Sequence, residues 1–175
     1  MSAAPATRRI ALPDLHATAR LAAAVAALAR PGDAILLEGV LGAGKTAFAR
    51  AFLRAASGDP ALEVPSPTFT LVQSYATRLG TVHHFDLWRL NGPDALAELG
   101  WDEARDDIVL VEWPDRLGEQ RPSDALTLAL TIAPRSAASG PGPIAPEPRP
   151  QASEPCRDGR EATLSGWPER IGRLP

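Results

Sequence analysis

Lysine, cysteine and long apolar runs are scarce in this chain of 175 residues. Cys156 is the only cysteine, which excludes a disulfide framework and argues against a cysteine-based catalytic or metal site. No apolar run approaches the roughly 20 residues of a membrane-spanning helix, so no membrane partner is expected. The pair Arg8-Arg9 is followed by Asp14 and His16 instead of the hydrophobic region of an export signal. We therefore expect a cytoplasmic protein.

An excess of positive charge is also absent, since the net charge is −3. A protein that grips nucleic acid by itself usually presents a basic surface, so we expect no DNA partner, and we expect any RNA to be held by another protein. The hydrophobic content of 45% and the chain length are typical of one globular domain with a sizeable core.

The single lysine of the chain, Lys45, lies in a phosphate-binding motif. Residues 39–46 match the pattern G-x-x-x-x-G-K-(Ser/Thr). The glycines let backbone N–H groups turn towards phosphates, the lysine ammonium contacts the β- and γ-phosphates, and the threonine hydroxyl can ligate Mg²⁺. We predict that a nucleoside triphosphate binds to Gly39, Leu41, Gly42, Ala43, Gly44, Lys45, Thr46 and Ala47.

The segments on either side of the motif support this prediction. Residues 33–38 form a short apolar run that predicts a buried strand, and residues 45–56 carry apolar side chains at helical spacing. The order strand, glycine loop and helix aims a helix N-terminus at the phosphates.

Helical and strand patterns alternate along the rest of the chain. Asp14 is a predicted helix cap, and the helix it begins should bury Leu15, Ala19, Ala22 and Val25. We predict an α/β fold, a three-layer phosphate-loop NTPase-like domain with a mixed sheet. The predicted helices are 14–30, 45–56 and 93–100, and the predicted strands are 8–12, 34–38, 69–75, 81–87, 108–111, 126–132 and 161–164.

A proline-rich segment interrupts the alternation. Residues 134–155 contain seven prolines and two glycines and offer little to bury, so we predict a disordered insert within one domain spanning residues 1–175. If residues 161–164 pair with 126–132, the insert is a long hairpin loop. A docking motif is the alternative interpretation.

Two acidic residues follow predicted strands and are candidates for the chemistry. Glu112 comes directly after the apolar run 108–111, and Asp86 ends the run 81–87. Ligands of nucleotide-binding α/β folds gather at the carboxyl ends of strands, where these carboxylates can hold Mg²⁺. Glu112 can also orient the attacking water, so Glu112 and Lys45 are the predicted catalytic residues. The predicted metal ligands are Thr46, Asp86 and Glu112.

The adjacent His83 and His84 invite a zinc interpretation. Neighbouring residues of a strand point to opposite faces, so both rings cannot easily bind one ion, and packed or hydrogen-bonded histidines are expected.

A third candidate feature is the loop formed by Ser66, Pro67 and Thr68, between the motif's helix and the next strand. Its hydroxyls can act as a switch that touches the γ-phosphate or its metal ion. The alternative interpretation is a plain turn.

Four segments occur together in an order that resembles one family. They are residues 39–46, 65–72, 84–90 (HFDLWRL) and 110–114 (LVEWP). This series closely resembles the bacterial TsaE (YjeE) family, over about residues 8–133. The resemblance implies ATP binding with Mg²⁺ held at Thr46, Asp86 and Glu112, slow hydrolysis that requires Glu112, and a switch-like loop at 66–68. It also implies support of a TsaD/TsaB-type complex that modifies tRNA, so that tRNA is contacted only indirectly.

The chain departs from the family pattern at Val40, where aspartate is usual, and at Ala47, where threonine is frequent. Both lie where the backbone binds phosphate, so we expect ATP binding to persist. Two other functions stay open: a small phosphate-loop kinase acting on a metabolite, and a nucleotide-gated binding module without significant turnover. A kinase should carry an acceptor pocket and an arginine-bearing lid. Arg89 is a candidate for an arginine finger.

Overall fold

The computed structural model describes residues 7–90, 94–133 and 159–175. The helices are α1 (Leu15–Leu28), α2 (Lys45–Ser57), α3 (Asp94–Glu98) and α4 (Trp101–Ala104), with 3₁₀ turns at Pro114–Gln120 and Ile171–Arg173. The strands are β1 (Thr7–Leu12), β2 (Ala34–Glu38), β3 (Val72–Thr77), β4 (Gly80–Asp86), β5 (Ile108–Glu112), β6 (Leu126–Ile132) and β7 (Arg160–Ser165).

The seven strands form one mixed sheet in the order β1-β7-β6-β2-β5-β4-β3. The four central strands β6, β2, β5 and β4 run parallel to one another. Antiparallel strands extend the sheet on both sides, with β7 and β1 next to β6, and β3 next to β4. The predicted mixed sheet is confirmed.

Apolar side chains cover both faces of the central strands. Helices α1 and α2 pack on one face, where Phe48 and Phe52 join Ile35 and Leu37 of β2. The other face packs against α3, α4 and the first 3₁₀ turn, in a cluster that includes Trp101. This arrangement is the predicted three-layer α/β fold, and the complete burial of β5 explains its uninterrupted apolar run.

Helix α1 begins where the sequence predicts, but its buried face differs. The Ala17 backbone N–H donates to Asp14 Oδ1 at 2.7 Å, so Asp14 is the N-cap. Ala22 and Val25 are buried as predicted, but Leu15 is 62% exposed and Ala19 is only partly buried. The buried face is therefore only in part the predicted one. That face contains Ala17, Thr18, Leu21, Ala22, Val25 and Ala26.

Two predicted boundaries are wrong. Strand β3 begins at Val72 and not at Phe69, because residues 67–71 turn: the Leu71 N–H donates to the Pro67 carbonyl at 2.6 Å, and Leu71 has a φ of 63°. The predicted helix 93–100 is present as α3 but is shorter, since it ends at Glu98 before Gly100, whose φ of 70° terminates a right-handed helix; α4, which follows Gly100, was not predicted. Residue 93 itself lies outside the described residues.

The final strand confirms a long-range prediction. Strand β7 pairs antiparallel with β6 from Thr127 opposite Ser165 to Ile132 opposite Arg160, so the chain returns beside β6 as expected. The predicted disordered insert at 134–155 lies outside the described residues. Within the described ranges, no helix is both long and apolar enough to cross a membrane.

Candidate functional site

The phosphate-binding motif forms a loop between β2 and α2. Gly39 has a φ of 139°, and a Cβ there would lie 2.5 Å from the Leu130 carbonyl oxygen, so only glycine fits. Gly44 is the N-cap of α2 with a φ of 105°, also a conformation typical of glycine. The loop therefore places its backbone N–H groups and the N-terminus of α2 at one cleft.

Lys45 lies at the base of this cleft and is 5% exposed. Its Nζ donates to the Gly39 carbonyl at 2.7 Å and to the Val40 carbonyl at 3.0 Å, and it lies 3.8 Å from the centre of the Trp113 ring. Burial lowers the pKa of Lys45, while the nearby carboxylates of Glu112 and Asp86 act in the opposite direction.

Glu112 and Asp86 meet because β4 and β5 are parallel and in register, with Asp86 opposite Glu112. Both carboxylates are nearly inaccessible, with exposures of 2% for Glu112 and 4% for Asp86. The Thr46 hydroxyl donates to Glu112 Oε2 at 3.0 Å. The three predicted metal ligands therefore converge from two strands and one helix. A hydroxyl and two carboxylates are the hard oxygen ligands that Mg²⁺ prefers, so this donor set fits such an ion.

The loop of residues 66–68 contacts Asp86. The Thr68 hydroxyl donates to Asp86 Oδ2 at 2.8 Å and the Ser66 hydroxyl at 3.3 Å, while the Trp88 N–H donates to Oδ1 at 3.1 Å. Pro67, between these two residues, is buried. The loop is thus attached to a predicted metal ligand, which a plain turn would not require.

The cleft collects most of the predicted site residues. Ala43 is fully buried and Gly39 packs against Leu130, so these two shape the loop from below and do not line the cleft. The lining of the cleft also includes Trp88 and Trp113, which are not among the predicted site residues and whose ring centres lie 4.3 Å apart. The lining residues are Leu41, Gly42, Gly44, Lys45, Thr46, Ala47, Ser66, Thr68, Asp86, Trp88, Arg89, Glu112 and Trp113.

The two adjacent histidines lie on opposite faces of β4, as expected, and have different partners. His83 Nδ1 is 2.8 Å from the Ser74 hydroxyl, and its Nε2 is 3.2 Å from Asp107 Oδ2. His84 is fully buried, with Nε2 2.9 Å from Glu112 Oε1. Within the ranges that the structure describes, no group of three or more His, Cys, Asp or Glu side chains is arranged to hold a metal ion.

The fold and the cleft together define a class, the phosphate-loop NTPase-like domains. Comparison with known proteins identifies the family within this class. The model of the family described as threonylcarbamoyl adenosine biosynthesis protein TsaE matches residues 12–138. The chain belongs to the TsaE family, and the predicted resemblance is confirmed.

Relatives bearing the name tRNA threonylcarbamoyladenosine biosynthesis protein TsaE share about two fifths of the aligned residues. The Rickettsia felis protein is 41% identical over 99 residues, covering 56% of this chain and 57% of the relative. The Bacillus subtilis protein is 37% identical over 118 residues, covering 66% of this chain and 72% of the relative. The match thus spans a little over half of the Rickettsia felis protein.

The crystal structure of Bacillus subtilis YdiB has a similar fold. It superposes with a TM-score of 0.68 at 26% identity, over 98% of this chain and 93% of that chain.

Proposed function

We propose that this protein is an ATP-binding, slowly hydrolysing phosphate-loop ATPase that supports tRNA threonylcarbamoyladenosine synthesis. In this proposal a TsaD/TsaB-type complex transfers the threonylcarbamoyl group to a tRNA adenosine, and the present chain is not itself the transferase. The observation that carries the proposal is the convergence of Lys45, Thr46, Asp86 and Glu112 on one cleft beside the glycine loop.

Triphosphate binding is assigned to the loop backbone and Lys45. The two partners of Lys45 Nζ are carbonyl oxygens, and the ammonium has three N–H donors, so it can turn to phosphate oxygens at little cost. A small cavity lies on the other side of the loop, next to the proposed phosphate site. It shares Gly44 and Ala47 with the cleft and has an apolar wall that includes Leu12 and Leu130.

The metal ion is assigned to Thr46, Asp86 and Glu112. Bound Mg²⁺ would supply positive charge that offsets the negative charge of the phosphates. Thr46 and Glu112 already share a hydrogen bond, and the Asp86 carboxylate is held by Thr68. The hydroxyls of the 66–68 loop would leave Asp86 when its carboxylate takes a new partner, which is how the loop can report nucleotide state.

Hydrolysis adds water across the terminal phosphoryl bond and yields ADP and inorganic phosphate. We assign Glu112 the task of holding and orienting this water, because its buried carboxylate faces Thr46 at the start of α2. Lys45 stabilises the negative charge on the phosphates. Cytoplasmic location and indirect contact with tRNA belong to the same proposal, and the net charge of −3 agrees with a protein partner holding the RNA.

The experiment is ADP release measured on the purified chain alone, with small-metabolite acceptors, and with the partner complex. We expect slow release alone and stimulation by the partner complex only. Phosphorylation of a metabolite would replace the proposal by a kinase. Tight ATP binding with no ADP release in any mixture would replace it by a nucleotide-gated binding module.

A further inference from the structure

His84 is a buried polar residue that the proposed reaction does not use. Its side chain is fully inaccessible, and its Nε2 lies 2.9 Å from Glu112 Oε1. Because side chains alternate along a strand, His84 lies on the same face of β4 as Asp86, which is opposite Glu112 on β5. The imidazole therefore lies on the same face of the sheet as the two carboxylates, two residues before Asp86 along β4.

The contact completes the hydrogen bonding of the Glu112 carboxylate. Oε1 is paired with His84, and Oε2 accepts from the Thr46 hydroxyl. A glutamate side chain has three rotatable bonds, and a buried carboxylate with one free oxygen can rotate towards other donors. With a partner on each oxygen, Glu112 is held in the one orientation that faces the start of α2.

The surroundings of the other ring nitrogen, Nδ1, indicate which tautomer of His84 contacts Glu112. In the described part of the chain, the buried His84 Nδ1 has no hydrogen-bond partner. If the ring carried its hydrogen on Nδ1, that N–H would be a buried donor without an acceptor. The unprotonated Nε2 would then face the Glu112 carboxylate. The tautomer with its hydrogen on Nε2 avoids both costs and donates to Glu112 Oε1.

We propose that His84 is a positioning residue for Glu112: its Nε2–H holds Oε1 so that Oε2 stays directed at Thr46 and the nucleotide. This inference rests on the proposed function, in which Glu112 holds the metal ion and the water. It extends that function to a residue buried behind the cleft, which touches neither the nucleotide nor the metal ion.

The chain offers matched variants for the test. In His84→Gln, the amide nitrogen is as many bonds from Cβ as the imidazole Nε2, so it can still donate to Glu112. His84→Leu keeps an apolar volume and removes the donor. His83→Gln changes the neighbouring histidine, whose partners are Ser74 and Asp107 on the opposite face. Each variant is compared for ADP release with the partner complex, for the Mg²⁺ dependence of ADP affinity, and for melting temperature.

Partners of metal-ligating side chains typically change affinity or activity by about 10–100-fold when removed. We expect His84→Leu to lower kcat about 10–100-fold with KM altered less than about threefold, and to weaken the Mg²⁺ enhancement of ADP affinity about tenfold. His84→Gln should stay within about fivefold of wild type on both measurements, and His83→Gln should match wild type. Equal losses in His84→Leu and His84→Gln would mean that the ring only fills space, and would overturn the inference.

A measurement on nucleotide-free protein separates this inference from the proposed function. With ¹⁵N-labelled histidine, the His84 Nε2 should carry the hydrogen, and its signal should shift in Glu112→Gln. An unprotonated Nε2 would overturn the positioning role whatever the turnover. If this signal and the Mg²⁺ dependence are as expected but wild type releases no ADP with the partner complex, the proposed ATPase function fails and the hold on Glu112 stands. If His84→Leu does not fold, the ¹⁵N signal of His84 and the turnover of His84→Gln test the inference instead.

Discussion

The two ends of the central parallel strands differ in how the partners of their charged side chains are arranged. At the carboxyl end, Lys45 donates to two loop carbonyls beside an open cleft. At the amino end, Asp33 accepts from both terminal nitrogens of Arg170 at 2.6 and 2.7 Å, and Arg170 also donates to the Leu28 carbonyl. The hydrogen bond to Asp33 raises the pKa of Arg170, and Trp167 lies beneath the guanidinium at 3.8 Å.

The difference shows how one fold separates binding from stability. The Arg170 guanidinium is enclosed by partners that nothing is expected to displace, so it anchors the C-terminal segment to the end of α1. The partners of Lys45 are neutral carbonyls, which a bound phosphate would replace with a stronger charge-assisted hydrogen bond. Changes at one end should therefore alter nucleotide binding without changing stability, and changes at the other end should do the reverse.

The largest expected effect is at Lys45. Lys45→Ala removes the cation that meets the phosphates, and loss of such a buried charge contact costs several kcal/mol, or about 100–1000-fold in ATP affinity. The melting temperature should stay near that of wild type, because the loop backbone does not need the side chain. Calorimetric titration with ATP and Mg²⁺ measures the affinity.

The matched control for this change is Arg54→Ala. Arg54 is another cation of α2, and its Nε donates to the Leu62 carbonyl, away from the cleft. Wild-type ATP affinity in Lys45→Ala would contradict the site assignment.

The next effect concerns Glu112. Glu112→Gln keeps the size of the side chain but removes the charge that orients water, so turnover should fall by about 100-fold or more while nucleotide still binds. Glu38→Gln is the control, since Glu38 ends the neighbouring strand β2 but pairs with Arg121 at 2.6 Å instead of facing the cleft. Single-turnover ADP formation separates the two; unchanged turnover in Glu112→Gln would remove its catalytic role.

At the amino end, Arg170→Ala should reduce stability and leave ATP affinity unchanged. The change leaves Asp33 without its charged partner where its side chain is only 14% exposed, which should cost about 2–3 kcal/mol and lower the melting temperature by about 5–10 °C. Arg173→Ala, an exposed arginine of the same segment, should have little effect on thermal unfolding. A loss of ATP affinity in Arg170→Ala would show that the two ends are coupled.

The smallest effect is expected in the proline-rich segment. Replacing residues 135–154 with a short Gly-Asn turn should change stability by at most about 1–2 kcal/mol, because closure entropy grows slowly with loop length. ATP affinity should persist, since β6 and β7 already pair from Thr127 opposite Ser165 to Ile132 opposite Arg160. Denaturant unfolding and ATP titration check this. Unfolding of the trimmed chain would show that the segment packs on the domain, and loss of partner stimulation alone would show that it docks.

Local sequence patterns predicted those helices and strands in which the apolar residues are also the buried ones. The phosphate loop, β2 and β5 were predictable because a glycine motif and short apolar runs determine them locally. The start of β3 was not, because apolar residues continue through the turn: Phe69 is 84% exposed although it resembles a strand residue. Apolar spacing alone also failed to predict the whole buried face of α1, because alanines lie on several sides of that helix.

Most residues that line the cleft could be named from the sequence, but the contacts between them could not. Glu112 and Asp86 were identifiable because each ends a strand at the carboxyl edge of the parallel sheet, where ligands of such folds usually bind. The contact between His84 and Glu112 joins residues 28 positions apart, and that between Asp33 and Arg170 joins residues 137 apart. Such pairs depend on strand order and on how the C-terminal segment packs, which no local pattern contains.

The most direct test is a crystal structure of this protein with Mg²⁺ and a non-hydrolysable ATP analogue. We predict that the phosphates lie in the 39–46 loop with Lys45 on their outer oxygens, and that Mg²⁺ lies among Thr46, Asp86 and Glu112. We also predict that the hydroxyls of Ser66 and Thr68 have left Asp86. Nucleotide bound elsewhere, or Mg²⁺ held without either carboxylate, would contradict this prediction.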